Sequence, residues 1–246
     1  MPRYKLIVEY DGTPFHGWQR QTNGWSVQAC LERAVHRFCG ETVTLHAAGR
    51  TDAGVHALGQ TVHVDLERAH PDYTVRNALN FHLQPDPVSV LAAEHVDAEF
   101  HARFSATRRH YRYRIVNRAA PPTVARHRVW HVPVGLDCNA MHTAAQVLVG
   151  QHDFTTFRAA RCQSKSPVKT LDSLDVSGSG EEIIVEASAR SFLHHQVRSM
   201  VGTLKLAGEG KWQAQDVAAA LASHDRARAG PTAPASGLYL TKVDYD

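Results

Sequence analysis

The order in which strand-like and helix-like segments alternate constrains this chain of 246 residues more than any other feature. In the first half, an alternating apolar segment is followed by a helical segment, two strand-like segments, a second helical segment and a further strand-like segment. The predicted order is β-α-β-β-α-β. The predicted strands of this half are 4–10, 42–47, 60–66 and 87–96. The residues predicted on the inward face of the first strand are Tyr4, Leu6, Val8 and Tyr10.

The two helices of the first half are predicted from apolar spacing and from signals at their ends. The first covers 26–40, with Ser26 as its N-cap and Gly40 as its stop. The second covers 74–83. The residues predicted to face inward from the two helices are Val27, Leu31, Val35 and Phe38, and then Val75, Leu79 and Leu83.

The same order of elements returns in the second half with one extra helix, although the letters of the sequence do not repeat. Asp137 is the predicted N-cap of a helix whose stop is Gly150. The other predicted segments are strands at 110–116, 168–176, 181–189 and 237–245, and helices at 192–208 and 214–224.

Two β-α-β-β-α-β segments predict an α+β fold of two ferredoxin-like, or split βαβ, halves. We expect their antiparallel sheets to lie side by side with a cleft between them. The predicted division is 1–104, which carries the loop around Asp52, and 105–246, which carries a tyrosine-bearing strand and an arginine-bearing helix.

Composition excludes several other classes of protein. Hydrophobic residues make up 43% and charged residues 21% of the chain, as in a globular protein with a substantial core. No apolar run approaches the ~20 residues that a membrane helix needs, and an acid follows the start too soon for a secretory signal. The four cysteines are widely spaced, which favours reduced thiols in the cytoplasm over a zinc site or disulfides. We therefore expect a cytoplasmic protein without a membrane partner.

The segment "GRTDAGVHA" (49–57) holds one acid, Asp52, among small residues. Gly-x-x-Asp-x-Gly is typical of a turn, because Asp bonds its own backbone and Gly adopts positive φ. The alternative is a reactive carboxylate, which small neighbours such as Gly49 and Gly54 would leave open to a substrate. The pattern by itself leaves both interpretations open, with the turn favoured.

Positive charge is concentrated where the two predicted halves meet, in "HARFSATRRHYRYRI" (101–115), although the net charge is only +3. On a strand, Tyr111 and Tyr113 share one face, and arginines take the other. Guanidinium groups suit phosphates and aromatic rings suit unstacked bases, but the pattern alone favours a half-buried strand with solvated arginines. The arginines are Arg103, Arg108, Arg109, Arg112 and Arg114.

Several long motifs, in order, resemble the signature segments of the tRNA pseudouridine synthase A family. They are "YDGTPFHGWQRQ", "GRTDAGVHA", "FHARFSATRRHYRYRI", "RSFLHHQVRSMVG" and "GLYL". The resemblance implies isomerisation of uridine to pseudouridine in the anticodon arm of tRNA, at tRNA positions 38 to 40. It also implies two ferredoxin-like halves, a homodimer, and no cofactor or metal.

The resemblance assigns roles to five residues. Asp52 is implied to be the catalytic carboxylate, acting either through a covalent adduct or through removal of a ribose proton. Tyr111 is implied to pack on the target uracil, with its hydroxyl as a helper in removal of the C5 proton, although a tyrosine is a weak base and stacking is the favoured role. Arg50 is implied to fill the gap that an extruded uridine leaves. Leu238 or Leu240 in "GLYL" is implied to form an apolar wall, although a core strand fits as well.

Arg198 is the fifth residue and the expected partner of Asp52, because a carboxylate in a dry cleft is costly unless it is paired. On the predicted helix 192–208, Arg198 lies off the apolar stripe and on one side with His194 and Gly202. The residues of the stripe are Leu193, Val197, Val201 and Leu204.

Two other functions and a metal site are weighed against this one. A non-catalytic RNA-binding protein of two ferredoxin-like units would be expected to show sheet motifs of the type Arg/Lys-Gly-Phe/Tyr-x-Phe, and the sequence contains none. A small-molecule hydrolase with an aspartyl nucleophile would favour a parallel sheet. Adjacent histidines on a helix, such as His194 and His195, would point apart, so no metal is expected. The segments 118–136 and 154–167 receive no assignment.

Overall fold

A computed structural model describes residues 1–21, 24–160 and 162–246. In these ranges the protein is α+β, as predicted, with five α-helices and ten strands. The elements of the first half are β1 (Arg3–Tyr10), α1 (Val27–Cys39), β2 (His46–Ala47), β3 (His56–Asp65), α2 (Asp72–Leu83) and β4 (Val88–Val96). Those of the second half are β5 (Ala106–Asn117), β6 (Trp130–Val132), α3 (Cys138–Gln146), β7 (Gly150–Asp153), β8 (Val168–Ser179), β9 (Glu182–Ala189), α4 (Gln196–Gly208), α5 (Ala214–Ala222) and β10 (Leu238–Tyr245).

The chain forms two compact units. Unit 1 comprises 1–107 and 239–246, and unit 2 comprises 108–238. The last strand is grouped with unit 1 because it pairs with β3, where Tyr239 lies opposite His56. In the described ranges, no helix is both long and apolar enough to span a bilayer. The four cysteines, all within those ranges, form no disulfide.

The strands of unit 1 are ordered β4-β1-β3-β10, with the short β2 also on β3. The β1/β3, β1/β4 and β2/β3 pairs are antiparallel, as predicted, but β10 runs parallel to β3. The expectation of a purely antiparallel sheet was therefore wrong for this unit. A strand from the far end of the chain is not joined to β3 by a hairpin, so nothing local sets its direction.

The core of unit 1 lies between this sheet and helices α1 and α2. The predicted inward face of β1 is buried from Tyr4 to Tyr10. Ser26 caps α1 by accepting a hydrogen bond from the Ala29 amide at 3.3 Å, and Gly40 ends the helix at φ 80°. The inward residues predicted for α2 are all buried. Both predicted end signals of α1 are thus confirmed, but Phe38 of its predicted inward stripe is only half-buried. Helix α2 begins at Asp72, two residues before its predicted start, and β2 is only two residues long.

Unit 2 pairs its strands in the order β5-β9-β8-β7, all antiparallel, and β6 adds to β5 in parallel. Tyr113 and Ile115 of β5 are fully buried. Asp137 caps α3 as predicted, since its carboxylate accepts from the Ala140 amide at 3.0 Å. The short strands β6 and β7 were not predicted from the sequence.

Helix α4 begins later than predicted, at Gln196 instead of residue 192. His195 precedes it with φ 65°, a left-handed conformation that an α-helix cannot continue. Gln196 closes the turn before the helix, because its side chain accepts from the Leu193 amide at 2.8 Å. The predicted start was wrong because buried Leu193 extends the apolar spacing of the helix into a segment that is not helical.

Candidate active site

The loop from Gly49 to Val55 connects β2 to β3 in unit 1 and carries Asp52. Asp52 is half-buried on this loop, and Arg50 is exposed. Gly54 has φ 77°, and the Val55 amide donates to the Asp52 carbonyl at 3.1 Å. The turn that the glycine spacing predicts is therefore present. A turn also presents a side chain outward, so this geometry is compatible with a reactive Asp52.

The backbone of this loop rests against the segment 15–18 of the same unit. The Trp18 amide donates to the Thr51 carbonyl at 3.0 Å, and the Gly54 amide donates to the Phe15 carbonyl at 3.4 Å. Gly17 makes the approach possible at φ 91°, since a Cβ there would lie 2.7 Å from the Thr51 oxygen. We call these contacts the loop clamp. These contacts were not predicted, because they join residues far apart in the chain.

Two buried side chains complete the loop clamp. The Tyr10 hydroxyl and Thr51 Oγ1 share a hydrogen bond of 2.8 Å, and Gln60 Nε2 donates to the Gly49 carbonyl at 2.7 Å. Tyr10 stands at the end of β1 and Gln60 lies in β3. The chain immediately before Asp52 is thus attached to two strands of the sheet.

His56 fixes the point where the loop enters β3. Its Nδ1 accepts the Gly12 amide at 3.0 Å and lies 3.1 Å from Asp11 Oδ1, and its ring stacks on Tyr239 at 4.7 Å. Gly12 allows this close approach, because a Cβ there would lie 2.0 Å from the Val55 oxygen. His56 follows Asp52 by four residues, a spacing that on a helix would bring the two side chains together as a possible metal pair. Because His56 starts β3, the two residues do not share a helix.

In unit 2, Tyr111 and Tyr113 lie on the same side of β5 but in different environments. Tyr111 is half-buried and meets the Phe192 ring edge to face, with the centroids 5.1 Å apart. The Tyr113 hydroxyl is buried and donates to the Pro234 carbonyl at 2.7 Å, and this burial raises its pKa above the usual value. Tyr113 is therefore a core residue, and Tyr111 is the tyrosine of this strand with part of its ring accessible.

Arg198 lies in the first turn of α4 and is half-buried. Its Nε donates to the Ala233 carbonyl at 2.8 Å, while the Ala233 amide donates to the Arg198 carbonyl at 3.0 Å. Gly202 lets the loop before β10 lie directly on the helix, since a Cβ there would be 1.7 Å from the Pro231 oxygen. Arg198 shares a helix side with Gly202, as predicted, but His194 lies outside the helix.

The two leucines of "GLYL" are both buried, with Leu238 6% exposed and Leu240 fully enclosed. Gly237 fits against the ring of Tyr113, where a Cβ would lie 2.6 Å from ring carbons. These contacts are those of a core strand, one of the two readings that the sequence leaves open. The role of Leu238 as a pocket wall stays a prediction.

His194 and His195 precede α4, and their ring centroids are 4.0 Å apart. Neither histidine is within the helix, so the prediction that helix geometry points their rings apart was wrong. The expectation that the site needs no metal stays a prediction.

Three arginines of β5 are paired with acids of β8 and β9 in unit 2, and Arg118, which follows β5, is paired with Glu181, which precedes β9. The pairs are Arg108 with Asp172 at 2.9 Å, Arg112 with Glu186 at 2.8 Å, Arg114 with Glu182 at 2.6 Å, and Arg118 with Glu181 at 2.8 Å. Arg109 is 9% exposed and donates to the Arg190 carbonyl at 2.6 Å. The strand is thus not a stripe of unneutralised charge, because each carboxylate offsets part of the attraction to phosphate.

Charge is nevertheless divided unequally between the units. Unit 2 has 17 Lys and Arg residues and 10 Asp and Glu residues, a formal charge of +7. Unit 1 has 10 Lys and Arg and 14 Asp and Glu, a formal charge of −4. A net charge of +3 for the whole chain conceals this difference. Unit 2 is the part of the chain whose charge favours a polyanion.

Comparison with known proteins gives consistent matches. A family model described as tRNA pseudouridine synthase matches residues 6–105 and 144–246. Three curated proteins named tRNA pseudouridine synthase A align over 245 residues, or 100% of this chain. They are from Paramagnetospirillum magneticum (65% identical, 96% of that protein), Methylobacterium nodulans (62%, 96%) and Rhodospirillum centenum (62%, 100%).

These matches show the class of this protein, an isomerase that forms pseudouridine in tRNA. The chain belongs to the tRNA pseudouridine synthase family. The ranges matched by the family model include the Asp52 loop and Arg198, whereas Tyr111 lies between them.

Proposed function

We propose that this protein isomerises uridine to pseudouridine in the anticodon arm of tRNA, at tRNA positions 38 to 40, with Asp52 as the catalytic carboxylate. The observation that carries the proposal is the half-buried Asp52 on a loop that the rest of unit 1 holds in place. A carboxylate held in this way is pre-positioned for chemistry, which reduces the entropic cost of reaching the transition state.

The reaction breaks the bond from ribose C1′ to uracil N1 and forms a bond from C1′ to C5. The base rotates between the two events, N1 gains a proton and C5 loses one. The bond exchange consumes no redox equivalent. It requires a carboxylate beside the sugar and the base, together with a site that accepts an extruded nucleotide, since the reacting atoms are inaccessible within a stem.

The other residues have supporting roles in the proposal. Arg198 balances the charge of Asp52, because an unpaired carboxylate away from water is costly. Its bond to the Ala233 carbonyl supports this role by orienting the guanidinium plane. Tyr111 packs on the uracil with the part of its ring that Phe192 leaves accessible. Arg50, exposed on the loop, occupies the space of the extruded uridine, and Leu238 forms an apolar wall.

The proposal includes two ferredoxin-like halves that form a homodimer in the cytoplasm. In unit 1, the order β4-β1-β3 with β2 against β3 supports the first ferredoxin-like half. In unit 2, the antiparallel β5, β9 and β8 and the helices α3 and α4 support the second. Dimer formation is testable by measuring the mass of the protein in solution.

Mapping of pseudouridine tests the function directly. Unmodified tRNA is incubated with the protein, and carbodiimide adducts of pseudouridine are located by primer-extension stops. We expect new stops in the anticodon arm with the wild type and none with Asp52→Asn, which keeps the size of the side chain but removes its charge. Binding of tRNA without stops would instead favour a non-catalytic RNA-binding protein.

A further inference from the structure

Two buried side chains hold the Asp52 loop without taking part in the proposed bond exchange. Tyr10 is 2% exposed and shares its hydroxyl hydrogen bond with Thr51, and Gln60 is fully buried and donates to the Gly49 carbonyl. Both attachments are made within three residues of Asp52, on its N-terminal side.

We infer that Tyr10 and Gln60 are positioning residues for the Asp52 carboxylate. They act through Thr51 and Gly49, which they hold against β1 and β3, and not through contact with the RNA. The inference rests on the proposed catalytic role of Asp52. It also identifies the part of the fold that sets the direction of the carboxylate.

The energetics of Gln60 support this inference. Its Nε2 is bonded to Gly49, but its Oε1 is buried and has no hydrogen-bond partner among the described residues. An unpaired buried acceptor costs more than a typical hydrogen bond returns in net stability. An apolar side chain of similar length would remove that cost, so the amide here is poorly explained by stability alone. Its bond constrains the loop beside Asp52.

Thr51 is held at two atoms, and this supports the role of Tyr10. Its hydroxyl is bonded to Tyr10, and its carbonyl accepts the Trp18 amide across the close approach of Gly17. With both the side chain and the backbone of Thr51 fixed, the next residue has little freedom to reorient. A displacement of about 1 Å in a reacting group can cost about a hundredfold in rate.

The test compares Gln60→Met and Tyr10→Phe with matched surface variants, Gln215→Met on α5 and Tyr73→Phe on α2, both at exposed positions. Rates are measured on saturating unmodified tRNA, with KM and the urea midpoint for every variant. We expect kcat to fall by about 10- to 100-fold in the two loop variants, with KM unchanged. The urea midpoint of Gln60→Met should stay close to that of the wild type, because removal of the unpaired Oε1 offsets the loss of the donor to the Gly49 carbonyl. The surface variants should match the wild type.

Thr51 provides a second, independent comparison for the Tyr10 bond. Thr51→Val removes the hydroxyl and should reproduce the loss of kcat seen in Tyr10→Phe. The double variant Tyr10→Phe/Thr51→Val should lose no more than either single variant, because both remove the same bond. Thr51→Ser keeps the hydroxyl, so its kcat should be close to that of the wild type.

Two results would overturn the inference. One is an unchanged kcat in both loop variants. The other is a loss of kcat that is proportional to the loss of stability across the loop and surface variants. Asp52→Asn, assayed in parallel, separates this failure from that of the proposed function. If Asp52→Asn is inactive and the loop variants are not, only the positioning role is wrong. If Asp52→Asn turns over like the wild type, the catalytic assignment itself is wrong.

Discussion

Tyr111 and Tyr113, at the residue scale, show how burial separates two side chains that a strand pattern treats alike. Both belong to one face of β5, but the hydroxyl of Tyr113 is bonded to the Pro234 carbonyl within the core, whereas Tyr111 keeps part of its ring accessible. The proposal accordingly assigns contact with the uracil to Tyr111 alone.

Replacing each hydroxyl separately tests this division. We expect Tyr111→Phe to bind tRNA normally and to turn over slowly, because the stacking ring remains and the hydroxyl is lost. We expect Tyr113→Phe to keep its turnover but lose about 1–2 kcal/mol of stability, since the Pro234 carbonyl loses its donor. Single-turnover kinetics and urea unfolding of the two variants check both expectations. Undiminished turnover in Tyr111→Phe would exclude a chemical role for its hydroxyl.

At the same scale, the sequence indicates Asp52 and its turn but not what holds them. Gly49 and Gly54 are close to Asp52 in the chain, so their spacing is a local signal. Tyr10 and Gln60 are recognisable only after β1 and β3 have paired, because their contacts to the loop depend on the register of the sheet.

At the element scale, β3 contains a histidine whose protonation opposes folding. His63 is buried, its Nδ1 accepts the Ala102 amide at 3.1 Å, and the rings of His46 and His101 lie 4.9 and 4.7 Å away. Burial, the Arg3 guanidinium and these two imidazoles lower the pKa of His63 from 6.5 to about 4, against the opposing charge of Asp65.

This lowered pKa predicts that the protein loses stability on acidification. Between pH 6.5 and 4 the unfolded chain binds a proton at His63 that the folded chain does not. The free energy of unfolding therefore falls as the pH is lowered, by about 2 kcal/mol from this residue at pH 5. Urea unfolding at pH 7.5 and pH 5 measures the difference, which should shrink by that amount in His63→Gln. The same pH dependence in wild type and variant would contradict the prediction.

The helices show why some elements are predictable and others are not. Ser26 and Gly40 lie directly before and after helix α1 in the sequence, so both ends of the helix are predictable from local signals. Helix α4 lacks a comparable signal, and buried Leu193 continues its apolar spacing into the preceding turn. The direction of β10 was not predictable, because it depends on pairing with a strand from the other end of the chain.

At the scale of the whole molecule, the division of charge predicts which unit attracts tRNA. Unit 2 carries +7 and unit 1 carries −4, although Arg108, Arg112 and Arg114 of β5 are paired with acids. The cations of unit 2 outside that strand should therefore supply more of the attraction to phosphate than the cations of unit 1.

Two triple variants test the division of charge. In unit 2 the changes are Arg126→Gln, Lys165→Gln and Lys169→Gln, and in unit 1 they are Arg37→Gln, Arg68→Gln and Arg76→Gln. We expect the unit 2 variant to bind tRNA more weakly and to lower the slope of log K against log salt by about two, at about 0.7–0.9 for each lost contact. The unit 1 variant should keep the wild-type slope. Equal changes of affinity and salt slope in the two variants would mean that the unequal charge of the units does not direct tRNA binding.

The central claim is that Asp52 exchanges the glycosidic bond of a tRNA uridine, and release of the hydrogen at C5 measures that exchange most directly. Bonding of C5 to C1′ must expel this hydrogen, so tRNA labelled with tritium at C5 of uridine reports each turnover as tritium in water. The account predicts that wild-type protein releases the label and that Asp52→Asn, folded and still binding tRNA, releases none. Release by Asp52→Asn at the wild-type rate would contradict it.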